Sequence, residues 1–208
     1  MSREVRYLAD TGYLICFGAM AGGGRHFSAA FGGSVAASPT IRAELSRKHG
    51  DRSTARNVRV AIDSFVGTHY AALLDVPFLK RDEPERDKAL AYMKGRGALP
   101  REAISSFPIT TDGHADGTPE TGQHGGEAEI VALATRHCLP LLMNDRDGTR
   151  YARARKIPVE PFAQSLIRLV GRLTPSEVYK IWRAVAVNHD TGAVVSGQAF
   201  FRQPPPSN

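Results

Sequence analysis

Apolar and polar positions alternate over residues 4–9 and the run ends in Asp10, the pattern of a short first strand with a carboxylate at its C-terminal end. Residues 14–20 then read as an apolar helix face. Gly22-Gly23-Gly24 and Gly32-Gly33 punctuate a stretch expected to be loop-rich. Ser34-Val35-Ala36-Ala37 fits a second strand of small residues. Ser38-Pro39 opens a helix: a hydroxyl stands at the N-cap, and proline takes the first helical position, where its missing N–H is no loss. Glu44 lies inside that helix. Across 53–74, Val58, Ala61, Ile62, Phe65 and Val66 recur at helical spacing. Pro77 and Pro84 bound a short connection before a helix over 85–93.

Residues 105–124 are rich in Gly, Thr, Asp, Pro and His and read as a long surface loop. A structureless loop of that length in a compact domain is usually functional or mobile. A helix follows from Gly126, burying Ile130, Val131, Leu133 and Ala134. After it come a strand over 139–143, a short basic helix over 151–155 and a last core strand over 157–160. Strands alternating with helices up to residue 160 predict an α/β fold with a central parallel sheet. Beyond 160 the character changes. Residues 162–169 form an amphipathic helix expected to pack its apolar stripe on the core. Thr174-Pro175-Ser176-Glu177 is a capping box opening another helix. Residues 185–201 carry β-like alternation around an Asp190-Thr191-Gly192 turn, and Pro204-Pro205-Pro206 begins a tail expected to be disordered. The predicted organisation is one domain over 1–160 and an α+β extension over 161–208, with the tail from about 203.

Composition narrows the classes. The chain has 208 residues, 42% hydrophobic and 23% charged, which is the balance of a globular domain rather than a disordered one. No apolar run approaches the roughly 20 residues that span a bilayer, so no membrane partner is expected. The first residues carry charges but no signal-peptide apolar stretch, which makes the cytoplasm the default compartment. Cys16 and Cys138 lie among apolar residues and read as core positions, not a disulfide or a zinc site. Lys and Arg number 27 against 21 Asp and Glu, a net charge of +6 that favours a polyanionic partner.

The acids change the picture most. Asp10 and Asp145 each follow an apolar run directly, and in open parallel sheets ligands sit outside the C-terminal strand ends. Glu127 falls in the first turn of its helix and Glu44 on a helix expected nearby. Any one of these has an ordinary explanation, since acids suit helix starts and an Asp after a strand is a common turn residue. Four in this arrangement are harder to explain so. Converging carboxylates repel one another, and Mg²⁺ or Mn²⁺, hard cations that take oxygen ligands, relieve that repulsion.

These segments resemble the PIN-domain family of metal-dependent ribonucleases, including the VapC-type toxins of toxin–antitoxin pairs, over roughly residues 5–160. Leu8-Ala9-Asp10-Thr11 is similar to the family's opening strand and acid. Residues 38–45 are similar to its second motif, with Glu44 as the glutamate. Glu127-Ala128-Glu129-Ile130-Val131-Ala132-Leu133-Ala134 is similar to the third, in which Glu127 takes the acid's place and Glu129 is second choice. Asn144-Asp145-Arg146-Asp147 is similar to the fourth, with Asp145 as ligand and Asp147 as an auxiliary acid. The third acid is Glu where many members have Asp, and Gly12 stands where Ser or Asn is common. The loop at 105–124 and the chain beyond 160 exceed a minimal PIN domain.

The resemblance implies a three-layer α/β/α fold and a metal-dependent endoribonuclease, expected to be the toxin of a type II toxin–antitoxin pair. Asp10, Glu44, Glu127 and Asp145 would hold one or two Mg²⁺ or Mn²⁺ ions that activate water, with Thr11, Asn144 and Glu129 supporting them. It also implies an RNA substrate, an antitoxin partner and a homodimer. Arg146, Arg150, Arg153, Arg155 and Lys156 follow the fourth acid, and Arg42, Arg47 and Lys48 flank the second. Among them Arg42, Arg146 and Arg150 are the candidates for substrate phosphates.

Other readings remain beside it. An RNA-processing or DNA- or structure-specific nuclease would use the same chemistry. A non-catalytic RNA-binding scaffold is disfavoured by the presence of all four acids. The two Asp-Thr-Gly triplets, at 10–12 and 190–192, match an aspartic-protease signature, but the chain between them reads as mostly helical rather than as one of two β lobes. The histidines lack the i, i+4 spacing of a zinc protease, and His114 and His124 are assigned to loop polarity.

Overall fold

A computed structural model describes residues 4–66, 73–97 and 124–187. Five short strands form one sheet: β1 (Tyr7–Ala9), β2 (Val35–Ala37), β3 (Leu74–Asp75), β4 (Leu141–Leu142) and β5 (Val159–Glu160). Their spatial order is β3-β2-β1-β4-β5, and every pairing is parallel. Leu8 is opposite both Ala36 and Leu141, which sets the register at the centre of the sheet. Leu8, Val35, Ala36, Leu141 and Leu142 are completely buried, as expected for a parallel sheet covered on both faces.

The helices are α1 (Thr11–Gly18), α2 (Gly23–Phe31), α3 (Pro39–Gly50), α4 (Arg56–Val66), α5 (Glu83–Met93), α6 (Gly125–His137), α7 (Arg146–Ala154), α8 (Phe162–Ser165) and α9 (Pro175–Ala186). Short 3-10 turns occupy Lys80–Asp82 and Leu166–Leu169. From β1 the chain moves outward through β2 to β3, then crosses over to β4 and moves the other way to β5. Right-handed crossovers therefore place the helices between β1 and β3 on one face and α5, α6 and α7 on the other. The packing agrees: α1 lies against α2 and α4, α3 against α4, and α5, α6 and α7 against one another. The result is an α/β fold with an all-parallel sheet between two helical layers. The direction reverses between β1 and β4, and in such sheets the crevice at that point is the usual ligand site.

Strong local signals became elements where expected. Ser38 accepts a hydrogen bond from the Ile41 N–H and Pro39 opens α3. Thr174 and Glu177 form the reciprocal capping box of α9. Four segments differ, one of them the basic helix expected over 151–155, which is α7 and starts five residues earlier because Asp145 caps it. The glycine-punctuated stretch at 22–33 is the helix α2, with Gly22 and Gly32 in left-handed conformation (φ 70° and 61°) at its two ends. They bound a helix because Phe27 and Phe31, one turn apart, enter an aromatic cluster with Phe17; ring centroids of Phe17 lie 5.3 Å from Phe27 and 6.0 Å from Phe31. The helical run expected over 53–74 contains α4 but ends as the edge strand β3, defined by pairing with Ala36 and Ala37 rather than by any local pattern. Val185 and Ala186 close α9 instead of starting a β segment. The Asp190-Thr191-Gly192 turn, the tail, and all of the 105–124 loop except His124 lie outside the described residues.

The first part of the extension belongs to the same core. Phe162 and Leu166 are completely buried, and the Phe162 ring stands 5.1 Å from Phe17, edge to face. The amphipathic stretch is α8 followed by a 3-10 turn, and its apolar stripe packs inward. Cys16 is buried as expected, whereas Cys138 is exposed. It ends α6 in left-handed conformation, φ 53°, where the chain turns toward β4. Neither cysteine forms a disulfide among the described residues. Among the described residues no helix is long and apolar enough to cross a membrane.

Candidate metal centre

Asp10 leaves the sheet at the end of β1, where its N–H still donates to the Leu142 carbonyl at 2.9 Å. The ladder that joins β1 to β4 thus fixes the first acid beside the strand that delivers the fourth. The Asp10 carboxylate caps α1, accepting from the Gly12 N–H at 3.0 Å. It is almost wholly buried, with 4% exposure. Asp145 repeats the device one strand away: it caps α7 and accepts from the Gly148 N–H at 2.5 Å. Each acid is therefore aimed by the helix it starts, and each helix N-terminus lies at the β1–β4 crevice.

Glu44 and Glu127 arrive from either side. The Thr11 hydroxyl donates to Glu44 Oε2 at 2.7 Å, tying the start of α1 to α3. Gly126 at the start of α6 lets the two helices close: a Cβ there would stand 2.7 Å from Ile41 Cδ1 and 2.8 Å from Glu44 Oε1. Any side chain at 126 would have to displace the Glu44 carboxylate. Glu127, the next residue, sits in the first turn of α6. His124 takes the N-cap position of α6 in left-handed conformation, φ 68°, and its Nδ1 lies 3.1 Å from Glu127 Oε2. One ligand atom each from His124, Glu127 and Asp145 lie within 4.8 Å of one another.

Electrostatics show that the acids sense one another. Burial raises the Asp10 carboxyl to about 8, reinforced by the neighbouring Glu127 and Glu44 charges and opposed by the Gly12 and Thr11 amides. Burial likewise raises Glu127 to about 7, reinforced by Asp145 and Glu44, with Lys48 pulling the other way. Among the described residues no lysine or arginine forms an ion pair with any of the four carboxylates. His124, Glu127 and Asp145 bring their ligand atoms together, while Asp10 and Glu44 lie outside that group and reach Glu127 through their charges; backbone amides and one hydroxyl satisfy these acids only in part. Such donors suit a divalent cation.

The supporting residues divide differently from the sequence expectation. Thr11 is against Glu44, as described. Glu129 faces away from the cluster in function: its oxygens accept from the Thr40 N–H at 3.0 Å and the Thr40 hydroxyl at 2.6 Å, locking α6 to α3. Asn144 is also a lock, accepting from the Phe162 N–H at 2.9 Å and donating to Cys16 Sγ at 3.3 Å. Asp147 is half-buried in the first turn of α7 and is not among the converging ligand atoms.

Of the basic residues, Arg146 and Arg150 are exposed on α7. The Arg42 guanidinium instead holds the sheet edge, donating to the Leu73 and Leu74 carbonyls at 2.7 and 3.1 Å and standing 2.6 Å from Asp75. Arg155 is engaged with Glu85 between α7 and α5. Lys48, one turn beyond Glu44 on α3, is the cation whose field reaches Glu127.

Loop polarity alone does not explain His124, because the structure brings its imidazole to the acids. The local signal is its distance of three residues from Glu127, which puts both on one side of the first helical turn. No family model, curated protein or solved structure matches the chain.

Proposed function

We propose that the protein is a metal-dependent nuclease of PIN-like type, acting on RNA phosphodiester bonds as the toxin of a toxin–antitoxin pair. One observation carries this reading: Asp10, Glu44, Glu127 and Asp145, from four separate elements, feel one another's charges around the β1–β4 reversal, where Glu127 and Asp145 meet His124, and among the described residues none pairs with a lysine or arginine. Their order along the chain resembles that of the four PIN motifs, with Asp10 and Asp145 following strands, Glu44 inside α3 and Glu127 in the first turn of α6.

These four acids would hold Mg²⁺ or Mn²⁺, and the donor set fits, because the repulsion that raises Asp10 and Glu127 is what a bound cation removes. When bound, such an ion lowers the pKa of water and neutralises charge on a phosphoryl group. The chain's own contribution is orientation. The Gly12 and Gly148 amides fix the rotamers of Asp10 and Asp145, and Thr11 fixes that of Glu44. The starts of α1, α6 and α7 present their positive dipole ends to the crevice, where an anionic phosphate would lie. Exposed Arg146 and Arg150 on α7 offer charge for the polymer beyond the scissile group.

The direct test is cleavage of single-stranded RNA, structured RNA and DNA by the purified protein with Mn²⁺, with Mg²⁺ and with chelator. Metal-dependent RNA cleavage by the wild type, lost in Asp145→Asn, is the expected result. Cleavage of DNA alone would move the substrate, and RNA binding without cleavage would make the protein a scaffold. Expression alone should arrest growth, relieved by a small protein encoded beside it; harmless expression of an active enzyme would point to RNA processing instead.

A further inference from the structure

We infer that His124 is a nitrogen ligand of this centre and that it biases the site toward Mn²⁺ over Mg²⁺, an inference that rests on the carboxylate cluster being a metal centre. His124 stands at the N-cap of α6, a position whose side chain commonly accepts from the helix's first N–H groups, yet its imidazole makes no such bond. The ring is turned instead onto Glu127, with Nδ1 3.1 Å from Oε2. Donor atoms on adjacent corners of an octahedron with metal–ligand bonds of about 2.1 Å are about 3.0 Å apart, so one cation can bind both atoms with little movement. Asp145 supplies the third donor, all three lying within 4.8 Å of one another.

The backbone holds this pose. A residue other than glycine in left-handed conformation is uncommon, and at φ 68° His124 directs the chain into α6 with Glu127 three residues on. Only a few donors can serve from that place, and the one present is an imidazole. Mg²⁺ prefers oxygen and keeps its waters, whereas nitrogen donors favour transition ions. A mixed set of one imidazole and several carboxylates therefore discriminates against Mg²⁺ without excluding it.

The experiment is electron spin-echo envelope modulation on full-length protein loaded with Mn²⁺, combined with calorimetric titration of Mn²⁺ and Mg²⁺. The wild type should show nitrogen modulation from a directly bound imidazole, and His124→Gln should abolish it. Mn²⁺ affinity should fall roughly ten- to a hundredfold in His124→Gln, while Mg²⁺ affinity changes much less. Bound Mn²⁺ without nitrogen modulation in the wild type, or an unchanged Mn²⁺/Mg²⁺ preference in the variant, overturns the inference and leaves His124 as a hydrogen-bond partner of Glu127. The carboxylate centre survives that outcome if Asp10→Asn still abolishes binding. Failure of the wild type to bind either ion overturns both.

Discussion

Two regions of this protein bury carboxylates, and they do so in opposite ways. Between α5 and α7, Glu85 is 5% exposed and receives Arg155, whose Nε donates at 2.7 Å and whose Nη2 takes the other oxygen, with Tyr151 adding a third hydrogen bond at 3.2 Å. Asp82 nearby has Arg136 at 2.8 Å and the Leu79 N–H at 2.7 Å. At the β1–β4 crevice Asp10 is equally buried, but its charged neighbours are Glu127 and Glu44. Burial raises both aspartates. At Asp82 the Leu79 amide and Arg136 oppose the rise, and at Asp10 two more acids reinforce it. The first region completes its own charge balance within the chain. The second leaves its balance to something from outside, which is why it reads as a site and the first as architecture.

Substitutions should separate the two regions sharply. Asp145→Asn or Asp10→Asn should abolish Mn²⁺- or Mg²⁺-dependent cleavage with the fold intact, because Asn still caps α7 or α1. Full activity in either purified variant would sink the four-acid assignment. Arg155→Ala should do the reverse, lowering unfolding free energy by about 3 kcal/mol by leaving Glu85 buried without its cation, as urea titration would measure. Metal affinity should be unchanged in the folded fraction.

A smaller loss is expected at Glu129, an acid that sequence alone places beside Glu127 as an alternative ligand. Glu129→Ala strands the Thr40 N–H and hydroxyl and should cost about 1–3 kcal/mol of stability. Glu127→Gln should cost little stability and remove metal binding. If the two variants behave alike, the division between lock and ligand is wrong.

The smallest effect is on pH dependence. Asp10 and Glu127 have raised pKa values in the fold, so the folded state binds more protons than the unfolded state between their ordinary carboxylate range and about 8. Metal-free stability should therefore fall as pH rises through that window, with no penalty below about pH 4. In chelator at pH 8.5, Asp10→Asn should melt a few degrees above the wild type, and the gap should close toward pH 4. Added Mn²⁺ at pH 8.5 should raise the melting temperature of the wild type but not of the variant.

What the sequence made legible follows the range of the interactions. Asp10 and Asp145 could be placed because each follows an apolar run, a pattern written within a few residues; that each also caps a helix appears only in the fold. Ser38-Pro39 and Thr174 through Glu177 announced α3 and α9 for the same reason. β3 was invisible because two residues become a strand only through Ala36 and Ala37, far away in the chain. Helix α2 was hidden by its glycines, since the burial that stabilises Phe27 and Phe31 comes from Phe17. The roles of Glu129, Asn144 and Arg42 depend on partners at Thr40, Phe162 and the Leu73–Leu74 carbonyls, which no local pattern joins to them. His124 lay in a polar stretch, where one ligand among several polar residues carries no periodicity to mark it.

The central claim is that the carboxylates at the β1–β4 crevice, none of which pairs with a lysine or arginine among the described residues, form a divalent-metal centre. Calorimetric titration of Mn²⁺ into the metal-free wild type and into Asp145→Asn, at pH 7.5 in two buffers of different ionisation enthalpy, tests it most directly. Saturable binding by the wild type, with proton release revealed by the buffer dependence and with affinity lost in the variant, is the predicted result. Equal binding by the two proteins, or none by the wild type, would contradict it.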